Sequence, residues 1–444
     1  MAILTHGPTE PAAQRSPSLP HSVSAVSPDE VRRAVEAAWR IESAQIVASL
    51  ARLTGDLGTA EDLAHDALVA ALESWPATGV PDSPGAWLTT TARRRALDGL
   101  RRAPVLDRAH AEIARQRDAA PDPAEALHDA LDDPVGDDLL RLVFTTCHPV
   151  LSVEARVALT LRTLGGLTTD EIARAFLTPV PTIAQRIVRA KKTLREAAVP
   201  FEVPRAAELP ARLADVLRVV YLVFNEGYTA TSGDDWARPA LCEDALRLGR
   251  VLAGLMPGEA EVHGLVALME IQASRLGARV DDDGAPILLM DQDRARWDGL
   301  LVRRGLAALE RGAALASGAP GPYLLQGAIA ACHARARRAE DTDWAEIAAL
   351  YAALAVVQPS PVVELNRAVA VGFAEGPAAG LALADALKAA GALDGYHLLE
   401  AVRGDLLQKV GRPVDARAAF EAAAALTRNE RERAFLQDRA EGVT

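Results

Sequence analysis

Side chains able to read and hold DNA are concentrated between Thr182 and Lys192. Ile183 and Ile187 recur at helical spacing and predict a buried side. The side chains left facing outward are Thr182, Gln185, Arg186, Arg189 and Lys192. Gln and Arg pair bidentately with adenine and guanine edges in the major groove, and Lys and Arg bind phosphate. The pattern favours a DNA-recognition helix, and an ordinary helical hairpin with a solvated basic face has the same pattern.

A shorter helix is predicted immediately before this one. Thr169 can cap it, and acidic residues occupy its first turn. Pro181 suits the first turn of the following helix, because proline lacks only an N–H that would be unpaired there. We therefore expect helices over Thr169–Phe176 and Pro181–Ala197, joined as a helix-turn-helix.

A second basic cluster lies earlier, after a Pro- and Gly-rich loop predicted at Pro76 to Pro84. Trp87 and Leu88 are expected to point inward. The basic side chains expected on the other side are Arg93, Arg94, Arg95, Arg101 and Arg102. Such a face binds a nucleic-acid backbone through charge, and a solvated helix face is the alternative.

Composition points to a helical protein of several domains. The chain has 444 residues, of which 50% are hydrophobic, 24% charged and only 4% aromatic. Its Ala-rich texture favours helices over strands. The net charge of −12 is unevenly distributed, because an acidic stretch separates the two basic clusters.

The same sequence makes several other classes of protein improbable. The longest uncharged apolar stretch, Ile347 to Val357, is about half of a membrane span, and no secretory signal pattern opens the chain. Three widely spaced cysteines cannot form a disulfide framework or a CxxC knuckle. We expect a reduced, cytoplasmic protein with no membrane segment. Neighbouring Cys147 and His148 are a weak hint of nucleophile or metal chemistry, and no second pair has ligand spacing. The acidic run from Asp281 to Asp283 resembles a calcium loop but lacks the EF-hand spacing and its closing Glu. No catalytic group, metal or cofactor is therefore expected.

Periodicity and composition predict five segments in an all-α chain. They are a disordered arm at 1–27, a helical module at 28–108, an acidic linker at 109–137, a helix-turn-helix module at 138–198, and a helical extension at 199–444.

The end of the extension shows a weak repeat. Gly376 and Gly411 each close one apolar helix and open another, 35 residues apart. In the last unit, small and large residues fall at the offsets of a tetratricopeptide unit, whose period is about 34. These residues are Gly404, Leu407, Gly411, Ala416, Phe420 and Ala423. We therefore expect an α-solenoid-like array.

Taken together, the two basic clusters resemble an extracytoplasmic-function sigma factor of bacterial RNA polymerase. The first family motif stands here as Ala60-Glu61-Asp62-Leu63-Ala64-His65-Asp66-Ala67-Leu68. Trp87-Leu88 and Arg93 to Arg102 follow it as the basic helix. The family's region-four motif stands as Glu171-Ile172-Ala173 and Thr182 to Ala190, without a gap. The resemblance covers about residues 30–198, under half of the chain.

Three positions depart from the family pattern. His65 replaces the usual Gln of the first motif, Arg94 replaces an Asn of the basic helix, and Leu177 replaces the Gly of the turn. The first two concern detailed contacts with the bases. The third suggests a stiffer turn, shaped by Pro179 and Pro181.

The resemblance implies a role for each face. Core polymerase would be bound through Asp62, Leu63 and Asp66. The proximal promoter element would be bound through Trp87, Arg93, Arg94, Arg95, Asp98, Arg101 and Arg102. The distal element would be bound through Thr182, Gln185, Arg186, Arg189, Lys191 and Lys192.

The extension is similar to that of a subgroup with tetratricopeptide-like repeats. Leu222 to Tyr228 opens it, and Asn225-Glu226-Gly227-Tyr228 is expected to form a turn after a buried helix. The resemblance implies regulation through the extension, with a small co-encoded protein as its partner. Two other classes stay open: a conventional helix-turn-helix regulator with a helical-repeat sensor, and a repeat-based scaffold.

Overall fold

A computed structural model describes residues 28–110, 135–228, 238–281, 287–427 and 430–443. These ranges contain α-helices and short 3-10 turns and no β-strand, which confirms the all-α prediction. The predicted arm at 1–27 and most of the predicted linker at 109–137 lie outside the described residues.

The first module is a three-helix bundle of α1 (Pro28–Thr54), α2 (Leu57–Thr78) and α3 (Pro84–His110). Asp56 caps α2 by accepting a hydrogen bond from the Thr59 N–H at 2.8 Å. Trp75 and Leu88 are each 1% exposed in its interior. The loop predicted to begin at Pro76 was wrong at its start, because α2 continues through that proline to Thr78.

The second module comprises α4 (Val135–Thr146), α5 (Val153–Thr163), α6 (Thr169–Ala175) and α7 (Val180–Glu196). The predicted cap of α6 was wrong by one residue. Thr168 is the cap, and it forms a capping box with Glu171. Leu177, in the turn before α7, has a φ of +46°.

The extension continues as successive helices. They are α8 (Leu209–Tyr228), α9 (Pro239–Leu255), α10 (Ala260–Ala273), α11 (Gly299–Leu315), α12 (Pro322–Arg335), α13 (Trp344–Val357), α14 (Pro361–Ala374), α15 (Pro377–Ala389), α16 (His397–Lys409), α17 (Pro413–Leu426) and α18 (Glu430–Glu441). The turn expected at Asn225 to Tyr228 was wrong, because these residues form the last turn of α8.

The last helices pack a small residue against a large one. A Cβ on Gly404 of α16 would lie 2.8 Å from the Phe420 ring of α17, so only glycine fits there. Gly376 and Gly411 have φ of +109° and +77° between the paired helices.

The two modules and the first helices of the extension share one hydrophobic core. Buried side chains form a continuous cluster from Val31 in α1 to Ala273 in α10. A separate cluster holds α14 to α18 together, with Leu365 and Phe420 among its members. The modules therefore pack against each other and against the extension.

Candidate nucleic-acid and polymerase interface

Helix α7 has one buried side and one open side. Ile183, Ile187, Ala190 and Leu194 are buried. The side chains of Thr182, Gln185, Arg189 and Lys192 are exposed, and Arg186 is half-buried. Thr182, Gln185, Arg186 and Arg189 line a groove of 390 Å³ whose other wall is Val150 to Ser152. The structure thus brings four predicted distal-element residues together on an open surface.

Lys191, also predicted to bind the distal element, lies on a different side of α7. Its Nζ forms an ion pair with the Glu61 carboxylate of α2, and its side chain is 20% exposed. In this arrangement Lys191 is not available to a DNA phosphate.

Glu61 is the buried centre of this contact between the modules. Its side chain is 4% exposed, and Arg162 Nε of α5 lies 3.0 Å from its Oε1. A carboxylate so far from solvent is stable only when cations and hydrogen-bond donors surround it. Residue-type reasoning missed Glu61 and Arg162. The sequence pattern that could have revealed Glu61 is its position on the same helix face as the buried Ala60, Ala64 and Ala67.

His65 orients Arg162 from the side of α2. Its Nδ1 lies 2.7 Å from the Glu61 carbonyl oxygen, so this nitrogen carries the proton and donates. Its Nε2 then accepts from the Arg162 guanidinium at 2.7 Å. The ring also packs against Trp39, with 5.2 Å between ring centroids. The His that replaces the usual Gln therefore holds an inter-module arginine.

A second ion pair joins the modules at the end of α7. The Arg195 guanidinium donates two hydrogen bonds to the Asp56 carboxylate, at 2.7 and 2.9 Å. These bonds lower the pKa of Asp56 to about 2 from its ordinary value of 3.8. Arg52 and Asp138 form a further inter-module pair at 3.0 Å. Cations and acids of the two modules thus neutralise each other along their contact.

The proximal-element residues are only partly gathered on one face of α3. Trp87 is half-buried and packs edge-on against Trp75, with ring centroids 5.4 Å apart. Arg94 and Asp98 are exposed, and Arg93 and Arg95 are half-buried. Arg95 lies 3.6 Å from Asp66 of α2. The side chains of Arg101 and Arg102 lie outside the described part of the chain.

The predicted polymerase-binding face of α2 carries apolar side chains as well as acids. Asp62 and Asp66 are exposed, and Leu63 is half-buried. Val69 and Leu72, further along the helix, are 51% and 45% exposed. Exposed aliphatic groups beside acids form a surface suited to a partner with apolar and basic groups.

Arginines fasten the extension to the second module. The Arg156–Asp215 ion pair measures 2.9 Å, and Arg212 of α8 donates to the Phe144 carbonyl at 2.8 Å. Arg247 of α9 donates to the Gly165 carbonyl at 2.6 Å. Arg238 donates to the Ala175 carbonyl at the end of α6, at 2.5 Å, and pairs with Glu226. The beginning of the extension is therefore joined to the helix-turn-helix.

Groups with other chemistry are sparse in the described ranges. No three His, Cys, Asp or Glu side chains gather there as a metal ion would require. Cys147 is buried, and burial raises the pKa of its thiol to about 11, which disfavours the nucleophilic thiolate. None of the helices in these ranges combines the length and apolar character of a bilayer span.

Three family models match the chain. Sigma-70 region 2 matches residues 41–104, and Sigma-70 region 4 matches residues 141–194. A family of unknown function (DUF6596) matches residues 212–313. The first two matches fall on the two modules, and the third begins in α8 and ends in α11.

Two relatives are similar over different lengths. The chain is 43% identical over 405 residues to "Uncharacterized protein R00370" of Rhizobium meliloti (strain 1021), which covers 88% of this chain and 92% of that protein. It is 29% identical over 172 residues to "Probable ECF RNA polymerase sigma factor SigI" of Mycobacterium tuberculosis (strain ATCC 25618 / H37Rv). This second match covers 39% of this chain and 58% of that protein. No solved structure matches the chain.

The matched regions agree with the geometry. The region-2 match contains the acidic face of α2 and the basic helix α3, and the region-4 match contains the open face of α7. The chain belongs to the extracytoplasmic-function sigma factors of the sigma-70 type, carries an additional C-terminal helical domain, and directs RNA polymerase to promoters.

Proposed function

We propose that α7 reads the distal promoter element through Thr182, Gln185, Arg186 and Arg189. Lys192 contributes a phosphate contact, and Lys191 contributes another once it has left Glu61. The observation that carries this proposal is the groove of 390 Å³ along the first half of α7, lined by amide, hydroxyl and guanidinium groups. Gln and Arg on one helix face match the acceptor and donor pattern of purine edges in the major groove.

The first module has the two remaining contacts in this proposal. Asp62, Leu63 and Asp66, extended by the exposed Val69 and Leu72, bind core polymerase through acidic and apolar groups. The basic helix α3 holds the proximal element through Trp87, Arg93, Arg94, Arg95, Asp98, Arg101 and Arg102. Protein contacts there offset the few kcal/mol, roughly, that unstacking a base costs.

The extension has a regulatory role in this proposal. Its first helices contact α4, α5 and the end of α6, so a partner bound to the extension can act on the helix-turn-helix. Its last helices form a tetratricopeptide-like array that would accept a small co-encoded protein. The protein acts in the cytoplasm and contributes no catalytic group, because polymerase performs the chemistry.

The test is transcription in vitro with core polymerase and no other sigma factor. The full chain should start transcription at specific promoters, and Arg186→Ala should lose distal-element preference by roughly 1–3 kcal/mol if Arg186 reads a base. Arg304→Ala, an exposed arginine of α11, is the matched control and should leave promoter choice unchanged.

Two results would contradict the proposal. Unchanged selectivity in Arg186→Ala would remove the assigned role of α7. Binding of duplex DNA without any polymerase-dependent initiation would favour the conventional regulator. A repeat-based scaffold predicts no salt-dependent DNA binding at all.

A further inference from the structure

Five side chains form ion pairs across the contact between the two modules: Glu61 and Asp56 of the first module, and Arg162, Lys191 and Arg195 of the second. We propose that Glu61 with Arg162 and Lys191, and Asp56 with Arg195, form a latch that holds the modules closed, and that DNA phosphates open it by competing for Lys191 and Arg195. This inter-module latch rests on the proposed function of α7.

The burial of Glu61 gives the latch its strength. Its carboxylate is 4% exposed and is approached by cations from two helices of the other module, α5 and α7. Removing the cations while the carboxylate stays buried is strongly unfavourable. When Lys191 leaves, the buried carboxylate keeps only Arg162, and this loss favours separation of the modules and exposure of Glu61 to water.

Arg162 contacts groups of both modules. It donates to His65 Nε2 at 2.7 Å and to the Leu167 carbonyl at 3.1 Å, besides its contact with Glu61. The Leu167 contact lies within the second module and limits the freedom of the guanidinium before closure, whereas the His65 and Glu61 contacts form only when the modules are closed.

The latch competes directly with DNA for cations of the recognition helix. Lys191 and Arg195 are one helical turn apart on α7, and both point at acids of the first module. Gln185 and Arg189 stay exposed on the open side. The closed form can therefore touch base edges, whereas full phosphate contact by α7 requires opening.

The first experiment measures closure with two surface labels on the full chain. Glu73→Cys on α2 and Asp170→Cys on α6 give exposed attachment points, and the native Cys147, Cys242 and Cys332 are buried. The distance between labels should be short and narrowly distributed in the otherwise unchanged protein. It should lengthen and broaden with Asp56→Asn, and further with Asp56→Asn combined with Glu61→Gln.

The second experiment measures the affinity for a short DNA duplex of mixed sequence as salt is raised. Release of Lys191 and Arg195 from their acids should allow at most two additional contacts with DNA phosphates. The double variant should then bind more tightly at low salt and lose about tenfold more affinity than the parent between 50 and 200 mM salt. Lys192→Gln, which removes a cation outside the latch, should make the salt dependence shallower and leave the label distance unchanged.

The single variant Asp56→Asn controls for folding. Asp56→Asn alters a surface pair and leaves Glu61 intact, so it tests the latch even if the double variant does not fold. An unchanged distance and salt dependence in folded Asp56→Asn and in the folded double variant would overturn the latch. The distance needs neither polymerase nor promoter, so failure of the proposed function would appear separately, as absent transcription.

Discussion

Leu177 occupies a backbone conformation that suits glycine. Its φ of +46° places it in the left-handed region, which is strained for a residue with a side chain. Because the side chain is 55% exposed, its packing offsets little of this strain energy. Leu177→Gly should raise the free energy of unfolding by about 0.5–1 kcal/mol, after allowance for the greater freedom of glycine in the unfolded chain. Urea denaturation followed by circular dichroism measures this change.

Two alanines at the end of α7 provide the comparison. Ala198 has a φ of +47°, so Ala198→Gly should also stabilise the protein. Ala197, its neighbour, has a φ of −79°, and Ala197→Gly should give no gain. Equal effects of glycine at both alanines would mean that backbone strain is not the cause.

The sequence predicted individual side chains where their environment is local. Gln185 and Arg189 were expected to face outward and are exposed, because the helical period alone decides their side. The closed-state position of Lys191 could not be predicted in this way. Its environment depends on Glu61, which lies in another module and is related to it by no local pattern.

At the level of helices, the contact between α2 and α7 depends on pH through Asp56. Because Arg195 lowers the pKa of Asp56 to about 2, this ion pair contributes stability above the ordinary pKa of 3.8 and loses it as pH falls toward 2. The midpoint of thermal unfolding should therefore fall more steeply in the parent than in Asp56→Asn between about pH 5 and pH 3. Parallel curves for the two proteins would contradict this role of the pair.

Helix ends were predicted to within a few residues where a proline and the apolar period mark them. Helix α7 was expected over Pro181–Ala197 and spans Val180–Glu196, because a proline starts it and its apolar period ends there. The prediction failed at Pro76, where a proline lies inside α2 with Trp75 buried beside it. Tertiary packing of that last turn outweighs the hydrogen bond that proline removes.

Across the whole molecule, one hydrophobic core extends over several of the segments that the sequence predicts. A cavity of 90 Å³ shows the meeting point, because Ile41 of α1, Leu139 of α4, Val216 of α8 and Leu248 of α9 all line it. Periodicity reveals which face of each helix is buried but not which helix covers it. The sequence therefore predicted the order of the helical units, and their mutual packing required the structure.

This shared core makes the site of a truncation decisive. Ending the chain after Ala198 removes α8 and α9, uncovers apolar groups of α4 and α5, and should lower the free energy of unfolding of residues 28–198 by about 3 kcal/mol or more. Ending it after Gln358 removes α14 to α18, which have their own core, and should leave this stability nearly unchanged. The stability of the two truncated proteins is measured by denaturant unfolding, and their exposed apolar surface by binding of a hydrophobic dye.

Equal stability of both truncated forms would contradict the packing argument. If the two truncated forms differ in stability, a change in transcription after truncation at Ala198 can come from unfolding as well as from lost regulation. Asp215→Ala separates the two effects, because it breaks the Arg156–Asp215 pair of the same contact and leaves the apolar core in place. The buried Arg156 keeps its hydrogen bonds to the Leu151 and Pro149 carbonyls. Regulation through the extension then predicts that this variant changes transcription output while its far-UV circular dichroism stays that of the parent.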